Sequence, residues 1–248
     1  MGHQPKQIYE FGPYRLDAAE RLLLAALEAK RRDDDDIDCG RTLFNLAETA
    51  VDDGRFEAGL LYAAKAVRRL EAGGHRRLAA FAATTAALAH LHRGEIGAAV
   101  AACGRATALL GEAEHDDRRT PVVINLRRSV AAHAAGDRAL AARLMRQAIP
   151  AGLESPRRDQ EEIANALEMH ANLLNERDAV AAARLLGTAA SLRRGSTRPA
   201  TPAWYGVSQR AAAACRERLG DEVFDRCRGQ GFAVDLDGVG EMCAVIKG

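Results

Sequence analysis

Aromatic residues are scarce in this chain, at 4% of 248 residues with a single tryptophan. Any core must therefore be packed from Ala, Leu and Val, and base-stacking platforms for single-stranded nucleic acid are disfavoured. Excess charge of either sign is also missing. With 35 basic and 34 acidic residues the formal net charge is +1, which leaves no global pull toward phosphate or a membrane surface. The five cysteines, Cys39, Cys103, Cys215, Cys227 and Cys243, are odd in number and contain no C-x-x-C pair. No signal peptide stands in front of them, so the expectation is reduced thiols in a cytoplasmic protein. The longest apolar run near the start, Leu22 to Leu27, is too short to span a bilayer.

Sequence signatures of catalysis are lacking as well. No G-x-x-x-x-G-K-[ST] loop occurs; Gly40-Arg41-Thr42 and Gly73-Gly74-His75 have neither the lysine nor the spacing, so ATP hydrolysis is not expected. No Ser, Cys or Thr stands in a recognisable nucleophile setting, and the chain is read as a non-enzyme. Metal ligation is equally unsupported. A calcium loop begun at Asp34 would put Cys39 at its central position and Asn45 at its closing one. His90 and His92 fall on different faces of a helix, and His115, Asp116 and Asp117 have no further ligands in view. Neither a metal nor a cofactor is expected.

What the chain does have is a repeat. Leu43 to Leu70, LFNLAETAVDDGRFEAGLLYAAKAVRRL, consists of two apolar-striped segments of helical period around a Gly-Arg turn. Aligning Gly54 with Gly94, Gly136 and Arg177 gives four copies, with turns GRFEA, GEIGA, GDRAL and RDAVA. Seven residues before the turn stand Ala47, Ala87, Ser129 and His170. Five after it stand Gly59, Ala99, Ala141 and Ala182, and twelve after it Ala66, Ala106, Ala148 and Ala189. These are the offsets at which tetratricopeptide hairpins need small side chains, because helices touch there. The one bulky residue, His170, reads as a register off by a turn in the fourth copy, with a local widening of the superhelix as the alternative.

The predicted fold is all-α: a tetratricopeptide-like helical-hairpin solenoid with a C-terminal helical cap. Residues 1–40 form an N-terminal segment, 41–194 four hairpins and 195–248 the capping helices. A helix is predicted from Asp17 to Arg32, and Ile8 to Tyr14 is left as an extended candidate. Asp33 to Asp36 with Asp38 reads as a solvated acidic linker ahead of a helix starting near Arg41. Breaks are predicted at Gly73-Gly74, Glu114 to Pro121 and Pro150 to Pro156. Helices are predicted again at Ala203 to Leu219 and Asp221 to Arg228, with a further turn or two after Asp235.

On this register the first helix of each hairpin lines a concave groove. Its inward residues would be Arg41, Phe44 and Glu48, then Thr84, Leu88 and His92, then Leu126, Val130 and His133, and finally Leu167, Ala171 and Asn175. That mixture of apolar and polar side chains suits a protein or peptide partner better than a nucleic acid. Recurrent basic pairs, from Arg68-Arg69 to Arg193-Arg194, are explained by the helix macrodipole without invoking a phosphate stripe.

Two stretches carry a resemblance. Tyr9, Phe11, Gly12, Pro13, Tyr14, Leu16, Asp17 and Glu20 to Leu24 resemble the opening of an OmpR-type winged-helix DNA-binding domain, although no candidate recognition helix follows. Ala182 to Gly187, with Leu219, Gly220, Phe224 and Gly231, resemble the C-terminal tetratricopeptide-like region of bacterial ATPase-type transcriptional regulators of the winged-helix, NB-ARC and LuxR-like kind. Those regulators place a DNA reader first, an ATPase second and a helical array last; the middle module is missing from this chain. The resemblance implies a protein- or peptide-binding scaffold in transcriptional regulation and signal transduction, with a full-length relative as one candidate partner. DNA binding through the N-terminal segment is the alternative.

Overall fold

A computed structural model describes residues 16–32, 36–111, 119–153, 157–194 and 201–233. Among the described residues every regular element is an α-helix, and none is long and apolar enough to cross a membrane. The helices are α1 (Leu16–Arg32), α2 (Asp36–Asp52), α3 (Phe56–Ala72), α4 (Arg76–His92), α5 (Ile96–Leu110), α6 (Arg119–Ala134), α7 (Arg138–Leu153), α8 (Arg157–Leu174), α9 (Ala179–Arg194), α10 (Pro202–Leu219) and α11 (Asp221–Phe232).

Turns Gly54, Gly94 and Gly136 lie where the sequence places them, each with φ between 75° and 88°, a region that β-carbon sterics close to most other residues. The same backbone bond closes each of them: Arg55 N–H donates to Ala50 O, Glu95 to His90 O and Asp137 to Ala132 O. The fourth turn has no glycine. There Asp178 caps α9 instead, its carboxylate accepting from the Ala181 N–H at 2.9 Å, as Asp137 accepts from Leu140 in the third turn.

Consecutive helices pair as α2 with α3, α4 with α5, α6 with α7 and α8 with α9. First helices touch in series, α2 to α4 to α6 to α8, and each second helix packs on the next first helix. This order of contacts is compatible with a helical-hairpin solenoid. All twelve offset positions are buried, including Ala47, Ala87, Ser129 and His170. At Gly59 a β-carbon would lie 2.6 Å from Val51 Cγ2, which is why the position takes no side chain.

Several boundaries differ from the sequence reading. The helix expected near Arg41 begins at Asp36, so Asp38 sits in its first turn, where the macrodipole favours a carboxylate. The expected break at Pro150 begins only after Leu153: α7 runs through Pro150 in its last turn, where the missing N–H forfeits a single helical bond. Helix α6 starts at Arg119 and takes Pro121 into its first turn. Helix α11 extends four residues past Arg228 to Phe232. The predicted helix at Asp17 is present as α1, from Leu16, and is tied to the α2–α3 turn by Arg55 and Glu20 at 2.9 Å. Ile8 to Tyr14, the His115 cluster and the tail after Asp235 lie outside the described residues.

The register of the fourth hairpin is not shifted. Helix α9 begins two residues after Arg177, as α3, α5 and α7 begin two after their glycines. His170 is accommodated because it faces its own counterpart in the preceding hairpin: Ser129 Oγ lies 3.0 Å from His170 Nε2.

Candidate functional site

The inner face, where the first helices meet, carries a buried ionic cluster centred on Arg127 of α6. Arg127 is 5% exposed. Its Nη1 donates to Thr84 Oγ1 at 3.2 Å and Thr85 Oγ1 at 3.1 Å, both on α4. Its Nη2 reaches Glu48 of α2 at 3.3 Å and Glu162 of α8 at 3.1 Å, so one side chain joins all four first helices. Burial disfavours the charged guanidinium, but Glu162 and Glu48 outweigh it and hold the group above its ordinary pKa. Arg127 Nε is buried without a hydrogen-bond partner among the described residues.

Asp52 stands one helical turn beyond Glu48. Desolvation first, and the Glu48 and Glu162 charges second, push its carboxyl up to about 7, against a smaller opposing pull from Thr201 and Arg127. Two carboxylates thus pair with one guanidinium, and the third, Asp52, lies near enough to feel their charge, which favours its protonated form. Thr201, at the N-cap of α10, donates to Asp52 Oδ1 at 3.3 Å.

Beside this cluster lies an aromatic stack. Phe56, at the start of α3, stacks on His92, at the end of α4, with centroids 4.9 Å apart; Trp204 of α10 also meets His92, edge-on at 5.2 Å. Burial lowers the His92 pKa to about 4, with Arg210 adding to the effect, so the ring is neutral at pH 7. Its Nε2 is buried without a partner among the described residues.

A third polar group is a short chain of hydrogen bonds. Ser129 Oγ donates to Leu126 O at 2.6 Å and therefore accepts from His170 Nε2. That assignment leaves His170 Nδ1 bare to accept from His133 Nδ1, 2.7 Å away. Burial lowers both imidazole pKa values, His133 to about 4, which agrees with two neutral rings in this arrangement.

The twelve predicted groove residues are distributed unevenly over these features. Glu48 and Thr84 join the Arg127 cluster, His92 the aromatic stack and His133 the hydrogen-bond chain. Leu88, Leu126, Val130, Leu167 and Ala171 are buried together in the apolar interior. Asn175 is buried with its amide on Asn172 O at 2.7 Å, Phe44 is half-buried opposite Phe81, and Arg41 is exposed beside Asp38.

Arg127, Glu162, Asp52 and Trp204 are absent from that prediction. Asp52 was within reach of the sequence, because it stands two residues before its turn, as His92 and Asn175 do. Arg127 was hidden by being half of a basic pair, and Arg193, from another such pair, is bound to Glu168 at 2.7 Å.

No protein-family model, curated protein or solved structure matches the chain. Any functional reading therefore stands on the inner face itself. Among the described residues no group of three or more His, Cys, Asp or Glu side chains is arranged to hold a metal ion.

Proposed function

We propose that this chain is a protein- or peptide-binding helical-repeat module that engages its partner through the inner face, in the regulatory setting its resemblances imply, and that it catalyses no reaction of its own. The observation that carries this reading is the Arg127 cluster. Ala-rich helices that pack as closely as these do not need a buried guanidinium for stability, since an apolar replacement of a buried ion pair is often neutral or stabilising. A charge retained in such a place is better suited to fixing which surface can dock, through complementarity and the penalty for unpaired charge. The surplus of carboxylate over guanidinium favours a partner that brings a basic group to Glu48 and Glu162.

The test is capture from a lysate by the purified chain beside the double variant Glu48→Gln/Glu162→Gln, with helical content checked for both. A partner recovered by the parent chain and lost by the variant supports the inner face as the recognition surface. Equal recovery by both, or a salt-dependent gel shift with no protein partner, sends the reading back to the N-terminal DNA-binding alternative.

A further inference from the structure

The N-terminal half of α10 is seated on the inner face much as a foreign helix would be. Trp204, the chain's only tryptophan, is 5% exposed against His92. Val207, Ala211 and Cys215 continue its stripe at helical spacing and are buried. Three residues before Trp204, Thr201 bonds Asp52. Through these contacts α10 touches α2 at one end of the array and α8 and α9 at the other. Anchors at i, i+3, i+7 and i+11 are the pattern by which an amphipathic helix occupies a groove.

The two ends of α10 are held differently. Its C-terminal end passes through Gly220 into α11, and α11 is fixed on α9 by close backbone approaches, Gly187 against Arg228 and Phe232 and Gly231 against Arg184. Thr188 Oγ1 adds a bond to Gly231 O at 2.9 Å. Its N-terminal end is held through side chains, among them the Trp204 ring on His92, the Thr201 bond to Asp52 and the buried Val207, over a seat that is not content to be covered. His92 Nε2 is left without a partner there, and Asp52 is buried among like charges. Both groups recover water if the N-terminal half of α10 lifts, while α11 keeps its place on α9. Burial of the indole holds the seat closed, and orphaned polar groups beneath it favour opening.

We infer that Trp204 stands in, within the chain, for an aromatic anchor on a partner's helix, and that the seat it occupies, His92 backed by Phe56 with Asp52 beneath Thr201, is the docking point of the inner face. The partner segment has the chemistry of α10 itself: a hydroxyl or other donor, a Trp or Tyr three residues later, then small apolar residues one and two turns on. This rests on the inner face being a binding surface, and it makes partner entry a competition with α10.

The full chain carrying Trp204→Glu, which puts a charge in the buried place of the indole and so expels the strap, is titrated with a fluorescein-labelled peptide of residues 201–219. The expected result is saturable binding, seen as a rise in anisotropy, at least about tenfold tighter than to the parent chain, whose seat is filled. The same peptide with Ala for its Trp fails to bind. No binding to the variant, with helical content and cooperative unfolding intact, overturns the inference. If the variant does not fold, hydrogen exchange on the parent chain decides. Amides of 205–211 exchanging about tenfold or more faster than those of α8, α9 and α11 support a liftable strap, and exchange at the same rate as α8 and α9 overturns it. Peptide binding with no loss of capture in the Glu48→Gln/Glu162→Gln variant would remove the ionic cluster from recognition and leave the seat standing.

Discussion

Replacing Gly187 by alanine should destabilise the fold, although helix propensity alone predicts the opposite. In the interior of α9 the exchange of Gly for Ala is worth about 1 kcal/mol in favour of the helix. Against this, a β-carbon at 187 would overlap the Arg228 carbonyl oxygen and lie 2.8 Å from Phe232 N, and both are backbone atoms that no rotamer change can move. Overpacking that has to shift backbone costs roughly 1–3 kcal/mol or more. If α11 lifts instead, Phe224, fully buried in the interior, loses roughly 2–3 kcal/mol of burial, and the Thr188 bond to Gly231 is broken. After the helix-propensity gain is set against these costs, the first route leaves a net loss of up to about 2 kcal/mol or more and the second about 1–2 kcal/mol plus the lost bond. Urea unfolding followed by circular dichroism measures it, with Gly104→Ala as the control. A β-carbon at Gly104, in α5, would enter open space with no other atom within 4 Å, so that variant should gain up to about 1 kcal/mol. A Gly187→Ala chain as stable as the parent would refute the argument that the α9–α11 crossing depends on backbone contact.

The ionic cluster gives two further expectations. Arg127→Ala removes the buried cation between the partly buried Glu48 and Glu162 and should cost about 2–4 kcal/mol, whereas an isolated surface pair would cost under about 1; urea unfolding at pH 7 separates the two. Asp52 has a folded-state pKa raised from 3.8 to about 7, so between those values the folded chain binds more protons than the unfolded one and stability falls as pH rises. Asp52→Asn should therefore gain on the parent from pH 5 to pH 8, by about 4 kcal/mol at most, and a pH-independent difference would contradict the burial of the carboxyl. His92, lowered to about 4, acts in the other direction: its stabilising neutrality is lost as pH falls from about 6.5 to about 4.

The parts of the fold that the sequence made legible are the ones governed by local sterics. A glycine that must take positive φ marks each of three turns, and small residues at fixed offsets mark where helices touch, so Ala47, Gly59 and Ala66 could be placed without coordinates. Helix ends were less legible, because Asp36 can serve either a linker or a first turn and Pro150 is tolerated in a last turn. The inner face was hardest. Which of Arg127 and Arg128 turns inward, and whether α10 crosses to α2, depend on how tightly the first helices converge. That convergence is a sum of many small packing choices, with no single residue announcing it.

His170 shows how an apparent violation of the pattern is absorbed. It occupies a position that the other three hairpins fill with Ala or Ser, and an alanine there would restore the rule. If smallness alone were required, His170→Ala would be neutral or stabilising. The surrounding atoms argue otherwise: the ring is fully buried, takes its space from the adjacent Ser129, and is the acceptor for His133. Removing it opens a cavity and leaves the His133 Nδ1–H without its partner in the interior. Together these should cost about 2–4 kcal/mol at pH 7. A Ser129→Ala/His170→Ala double variant should lose at most about 1 kcal/mol beyond the single His170 change, because without the imidazole Ser129 Oγ keeps only its local bond to Leu126 O, and that one bond is all the second substitution removes. Unfolding of the single variant at or above the parent's midpoint would show that the imidazole is merely tolerated; a clear loss would make it the element that sets the spacing of α6 and α8, and with it the reach of Arg127 to Glu162.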